Sequence, residues 1–218
     1  KDQTILHYMK YGGFGMLTHY KAVWNNNILI GDGSFKSTFG YQQNRRQEFA
    51  DVMSPDTYGL YFLLHTLTYD IHYTLPERNG FGLSYGVNGM YQSSLNKGIE
   101  YLVPEYQLFD AGVLVVGKKS WGKIDISGGL RYDHRSENSN ALYLNKNEEK
   151  TIASDPSAQL RFAKLAENFG GISGSIGASY QPSEHWNMKL NFSRGFRAPN
   201  ISELASNGVH EGTIRYEI

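Results

Sequence analysis

Trp121-Gly122-Lys123-Ile124-Asp125-Ile126-Ser127-Gly128-Gly129-Leu130-Arg131-Tyr132-Asp133 alternates between two kinds of residue with a period of two. Ile124, Ile126, Gly128, Leu130 and Tyr132 fall on one face, and Lys123, Asp125, Ser127, Gly129, Arg131 and Asp133 on the other. Successive side chains of an extended chain point to opposite faces, so this is a strand with one apolar and one wet face. Its alternation runs unbroken from 121 to 133, well past the roughly 5 or 6 residues usual in globular sheets.

The same pattern extends outward on both sides. Residues 170–181 set Ile172, Ile176, Ala178 and Tyr180 opposite Ser173, Ser175, Ser179 and Gln181. Residues 185–197 set Trp186, Met188, Leu190, Phe192 and Phe196 opposite Asn187, Lys189, Asn191, Ser193 and Arg197. Upstream, Phe81, Leu83, Tyr85, Val87 and Tyr91 alternate with small polar residues, and Leu67, Tyr69, Ile71 and Tyr73 with Thr66, Thr68, Asp70 and His72. Weaker matches at 16–30, 34–48 and 105–117 bring the expected total to about eight strands, with no comparable stretch at helical period.

The connections alternate in length. Gly31-Asp32-Gly33, Pro76 to Gly80, Lys118 to Ser120 and Pro182 to Glu184 read as tight turns. Longer links lie at 50–57, 94–104, 134–169 and from 198 onward. With neighbouring strands running up and down, all tight turns fall on one rim and all long loops on the other, the asymmetry of outer-membrane barrels. A soluble sandwich or lipocalin-like barrel would show the same alternation. Aromatic spacing favours the membrane: Phe81 and Tyr91, like Trp186 and Phe196, stand ten positions apart on one apolar face. At a tilt of about 40° that spacing rises roughly 25 Å, the height between the two aromatic girdles of such a barrel.

Composition narrows the function. In 218 residues, Lys+Arg 21 balance Asp+Glu 21, which removes the electrostatic footprint of nucleic-acid binding. Cys is absent, excluding disulfides, thiolate metal sites and Cys nucleophiles. No apolar run is long enough for a membrane helix and no leader pattern stands at Lys1. The 24 Gly and 16 Tyr suit sheet rather than helix. Nucleophile elbows, zinc-protease motifs, phosphate loops and dinucleotide glycine runs are not found in a fitting context, so no enzyme and no cofactor is expected.

Phe192-Ser193-Arg194-Gly195-Phe196-Arg197-Ala198-Pro199-Asn200-Ile201-Ser202-Glu203-Leu204, continuing through Ser206-Asn207-Gly208-Val209-His210-Glu211 to Tyr216-Glu217, resembles the TonB-dependent outer-membrane receptors. In that family an S-R-x-F-R-A-P box leads into a loop with a Glu-Leu pair. Arg194, Phe196, Arg197, Ala198, Pro199, Glu203 and Leu204 match it, and Asn44 to Phe49 and Gly128 to Asp133 look like further barrel segments. The resemblance implies an all-β, antiparallel up-and-down transmembrane barrel of about 22 strands enclosing a plug. Neither the plug nor a TonB-contacting box is read in 1–218, so the expectation is one partial barrel domain, with 134–169 and 198–218 as long extracellular loops.

The resemblance also implies function: active uptake of a scarce extracellular metal complex, a ferric siderophore or haem first, energised by the TonB complex through the plug. Outer-membrane lipid is the other expected partner. An envelope barrel enzyme, an adhesin and a zinc-specific receptor stand as alternatives. His210 is a competent ligand for haem iron or zinc; its plainer reading is a loop histidine with one hydrogen bond. Receptors thought to bind zinc share the Ser-Asn-Gly-x-His run, and the Asn-Pro-Asn-Leu common in haem receptors is missing. Glu211, Arg197, His134 and Arg135 complete the candidate ligand residues, the arginines as grips for carboxylates. Arg197 and Glu203 read first as a structural pair. Asp133, His134 and Arg135 open the longest link, where charges are usually just solvated. Asp70, His72, Lys123, Asp125, Arg131 and Lys189 are expected to line a hydrated lumen.

Overall fold

The computed structural model describes residues 14–49, 57–205, 208–209 and 216–217. Six long strands follow one another: β1 (Phe14–Ile30), β2 (Gly33–Phe49), β3 (Leu60–Thr74), β4 (Phe81–Asn96), β5 (Tyr106–Trp121) and β6 (Ile124–Ser139). Three short strands, β7 (Leu142–Leu144), β8 (Lys150–Thr151) and β9 (Gln159–Phe162), precede the long β10 (Leu165–Ser183) and β11 (Trp186–Arg194). A single turn of helix, α1 (Ile201–Ala205), and the pair β12 (Gly208–Val209) and β13 (Tyr216–Glu217) end the list.

The long strands form an 8-stranded sheet in the order β1-β2-β3-β4-β5-β6-β10-β11, antiparallel throughout. Every expected strand is present. The sheet is a single curved layer that does not close on itself. Its outer face carries the apolar set of the alternation, and among the described residues nothing covers it: Leu130 is 62% exposed, Leu190 61% and Phe192 66%. Among the described residues only Leu60, Leu108, Phe162 and Ile201 are buried hydrophobics. A soluble sandwich of this length would bury one whole face of each strand. That reading fails here.

The rims alternate as expected, with two shifted turns. Gly31 (φ 59°) and the Asn79-Gly80 pair make the first two reversals. Lys118 to Ser120, expected to turn, remain in β5 and pair with Gly82, Phe81 and Asp125. The reversal falls at Gly122 (φ 55°) and Lys123. The polar run there is a strand end: Lys118 pairs with Glu77 at 2.6 Å, and Lys119 donates to the Asn79 carbonyl at 2.6 Å. Likewise Pro182 lies inside β10, where a register shift between Tyr180 and Ser183 accommodates its missing N–H. The turn is Glu184-His185.

The long link is shorter than 134–169. Pairing continues to Ser139 opposite Leu165, so residues 134–139 and 165–169 belong to β6 and β10. Between them β8-β7-β9 fold as a separate 3-stranded sheet. This cap rests on the neighbouring loop: Arg161 donates twice to the Tyr101 carbonyl, at 2.9 and 3.2 Å, and Lys150 reaches Glu105 at 3.1 Å.

Candidate functional site

The inner face follows from the same alternation, because residues directly opposite across a ladder share a face. Register sets Arg131 beside Leu114, Asp133 beside Gly112 and Arg135 beside Asp110, and sets Asp70 and His72 of β3 beside Asn88 and Gly86 of β4. Several polar side chains of this wall are paired with one another. Asp70 meets His72 at 2.5 Å. Arg131 chelates Asp133 and donates to Asn88 Oδ1 at 2.7 Å. Arg135 grips Asp110 with two parallel bonds, Nε to Oδ1 and Nη2 to Oδ2, both 2.7 Å. Such fork-to-fork pairing fixes geometry as well as charge. The space above Gly112 is filled by Arg131 and Asp133, so a Cβ there would collide with both.

The chain after β11 folds onto this wall. Ladder pairing stops at Arg194 opposite Gly174, and Phe196 then donates its backbone N–H to Ser173 Oγ at 3.0 Å. Its ring lies over Gly171, where a Cβ would overlap it. Gly171 stands opposite Asp133, so Phe196 is on the inner face. The expected girdle position for Phe196 is therefore wrong: the strand ends before it, and the chain crosses to the lumen side. Trp186, 65% exposed on the outer face, keeps its place.

Beyond Phe196 the motif closes on itself. Arg197 bonds Glu203 through its two terminal guanidinium nitrogens, Nη1 and Nη2, at 2.9 and 2.6 Å. Glu203 also accepts the Asn200 N–H at 2.9 Å, while Asn200 Oδ1 accepts the Glu203 N–H at 3.0 Å. That reciprocal arrangement is a capping box, with Asn200 as N-cap of α1. The Arg197 guanidinium, then the Asn200 N–H, hold the Glu203 carboxyl down to about 2. Ile201 is buried and Leu204 belongs to α1. Arg197 and Glu203 are thus paired with each other.

Wall and motif enclose an open basin of about 740 Å³, lined by Thr38, Asp70, Asn88, Asp110, Arg131 and Arg135 on one side and Phe196, Arg197, Ala198 and Asn200 on the other. Arg135 crosses between them, its Nη1 donating to the Pro199 carbonyl at 3.1 Å. His134 borders the basin too, although it follows Tyr132 in the outer-face alternation and stands opposite Ala111 and Gly170. Thus Arg135 and His134 are strand residues rather than the opening of a loop. Of the expected lumen residues, Asp70, His72 and Arg131 form the wall, whereas Lys123 sits in a turn and donates to the Pro182 carbonyl at 2.6 Å. His210 and Glu211 lie outside the described residues. Among the described residues no group of three or more His, Asp or Glu side chains is placed to hold a metal ion.

Sequence reading missed Asp110, Asn88 and Ser173. Each acts on a partner 20 or more positions away. The signal was present: an acid in the weak strand 105–117 and an arginine in the next strand face one another once the hairpin register is set.

An up-and-down sheet with an apolar outside, a charge-paired inside and rims of unequal loops defines the wall of a large β-barrel. The family model described as TonB dependent receptor-like, beta-barrel matches residues 6–217, and the chain belongs to that family. Its barrels are those of the outer membrane. Over 158 residues the chain is 25% identical to the TonB-dependent heme receptor A of Haemophilus influenzae, a match covering 70% of this chain and 20% of that protein. The chain thus spans about a fifth of that relative's length. Among solved structures it resembles the Serratia marcescens hemophore receptor HasR, in complex with its hemophore HasA and heme. There the TM-score is 0.67 at 14% identity, over 94% of this chain and 34% of that one. The FrpB iron transporter of Neisseria meningitidis gives 0.61 at 13% identity, over 85% and 29%. Identities this low speak for the fold.

Proposed function

We propose that these residues form part of an outer-membrane receptor that takes up an iron complex, with haem as first candidate, driven by TonB. The observation that carries the reading is the similarity to a TonB-dependent haem receptor across 70% of the chain. Relatives matched by sequence and fold are transport receptors, which favours transport over the enzyme and adhesin alternatives. In this reading 1–218 is one partial barrel domain. Its long-loop rim, with the cap and the segment after Arg194, faces outside. The lumen wall faces a plug through which TonB acts, and the apolar outer face meets lipid. His210 and Glu211 would meet the ligand, with Arg197, His134 and Arg135 at the barrel mouth.

A zinc-specific receptor is the second reading, favoured by Ser206-Asn207-Gly208-Val209-His210 and the metal affinity of imidazole. Both are tested in a host stripped of its own haem, siderophore and zinc receptors and supplied with the full-length receptor. Growth on haemin that vanishes on deletion of TonB is expected. Growth on zinc alone favours the second reading, and growth on neither rejects both. Replacing His210 with Ala should weaken haemin binding tenfold or more, about 1.4 kcal/mol. Unchanged haemin and zinc binding would remove His210 from the site.

A further inference from the structure

We infer that Arg135 is a positioning residue: its guanidinium, locked to Asp110 on the barrel wall, holds the Pro199 carbonyl and thereby fixes how the chain leaves β11 toward the ligand side. The bond count carries this. Nε and Nη2 are taken by the two oxygens of Asp110 and Nη1 by Pro199, at 2.7, 2.7 and 3.1 Å. With its side chain only 17% exposed and Asp110 only 22%, the group is spent on the protein rather than offered to a ligand. Glu137, on the same face of β6 and wholly buried, stands two residues further along the strand. Arg135 is held in place by its own three bonds.

Position makes this hold selective. Phe196 is moored to β10 through Ser173 and Gly171. Arg135 adds a mooring on β6, across from Asp110 on β5. Two points on different strands fix direction where one would leave a pivot. Between them Arg197, 71% exposed at the basin edge, pairs with the Glu203 that closes the capping box with Asn200. Only a guanidinium presents three donors in one plane to a carboxylate and a carbonyl at once. Lysine at 135 would keep the charge and lose the geometry.

The role in ligand binding rests on the proposed uptake function; the mooring itself does not. The test uses the full-length receptor in detergent micelles and in cells, comparing wild type with Arg135→Gln, Arg135→Lys and Asp110→Asn. Amide exchange of 196–205 should quicken tenfold or more in Arg135→Gln and less in Arg135→Lys, with β5, β6 and β10 unchanged. Asp110→Asn, which preserves volume, should loosen the same segment if Arg135→Gln fails to fold. Haemin should bind Arg135→Gln about tenfold more weakly while the uptake rate at saturation holds. Unchanged exchange in 196–205, or loosening spread equally through the three strands, overturns the mooring. Quickened exchange with no haemin binding to any variant, wild type included, upholds the mooring and rejects haem as the cargo.

Discussion

Arg197 and Glu203 meet in an exposed setting, where an isolated ion pair contributes little. What gives the pair its value is that Glu203 also accepts the Asn200 N–H and so completes the first turn of α1. The carboxyl is held at about 2, against 4.5 for a free one. A depressed carboxyl stabilises the folded form above its unfolded value, and that contribution disappears as pH falls through the folded value. The order of 198–205 should therefore be complete above about pH 5 and fade between about 4.5 and 2. A carbon-detected titration of the Glu203 carboxyl checks this. In Arg197→Gln its midpoint should move back toward 4.5, and an unmoved midpoint would show that the arginine is not its partner.

Hairpins are set by their turns, and Gly122 is, among the described residues, one of three turn glycines with positive φ. At φ 55° a side chain is strained, so Gly122→Ala should lower stability by about 1 kcal/mol. Gly195→Ala, in open space with no positive φ, should change it far less. Urea midpoints of refolding into lipid vesicles separate the two, and equal losses would contradict the turn assignment. Strand existence, faces and the rim asymmetry were legible in the sequence because period two is a local signal. Turn positions at Lys118 and Pro182 were not, since polar strand ends and turns share a composition. The Arg197–Glu203 pair was legible from a contiguous motif. The Arg135–Asp110 pair was not, because it depends on the register between two strands, and the inward swing of Phe196 depends on where pairing stops.

At the scale of the whole sheet the apolar face is, among the described residues, continuous and unpartnered, which water does not tolerate and lipid does. An arginine there should cost by depth. Leu130→Arg, midway along β6, should destabilise the receptor by about 2–4 kcal/mol, and Ile126→Arg, next to the short-turn rim, by about 0–1 kcal/mol. Refolding into vesicles measures both, and equal small losses would place this face away from hydrocarbon. Spin labels at Trp186, Leu190 and Phe192 should likewise report contact with acyl chains.

Ser139 and Leu165 are direct partners in the ladder, and everything between them belongs to the cap or its links. The cap thus leaves and re-enters the wall at a single rung. Its length and composition can change through duplication, replacement or recombination without moving one residue of the barrel out of register. Such a rung separates two rates of change: the register of the wall is inherited, while the cap can be rewritten.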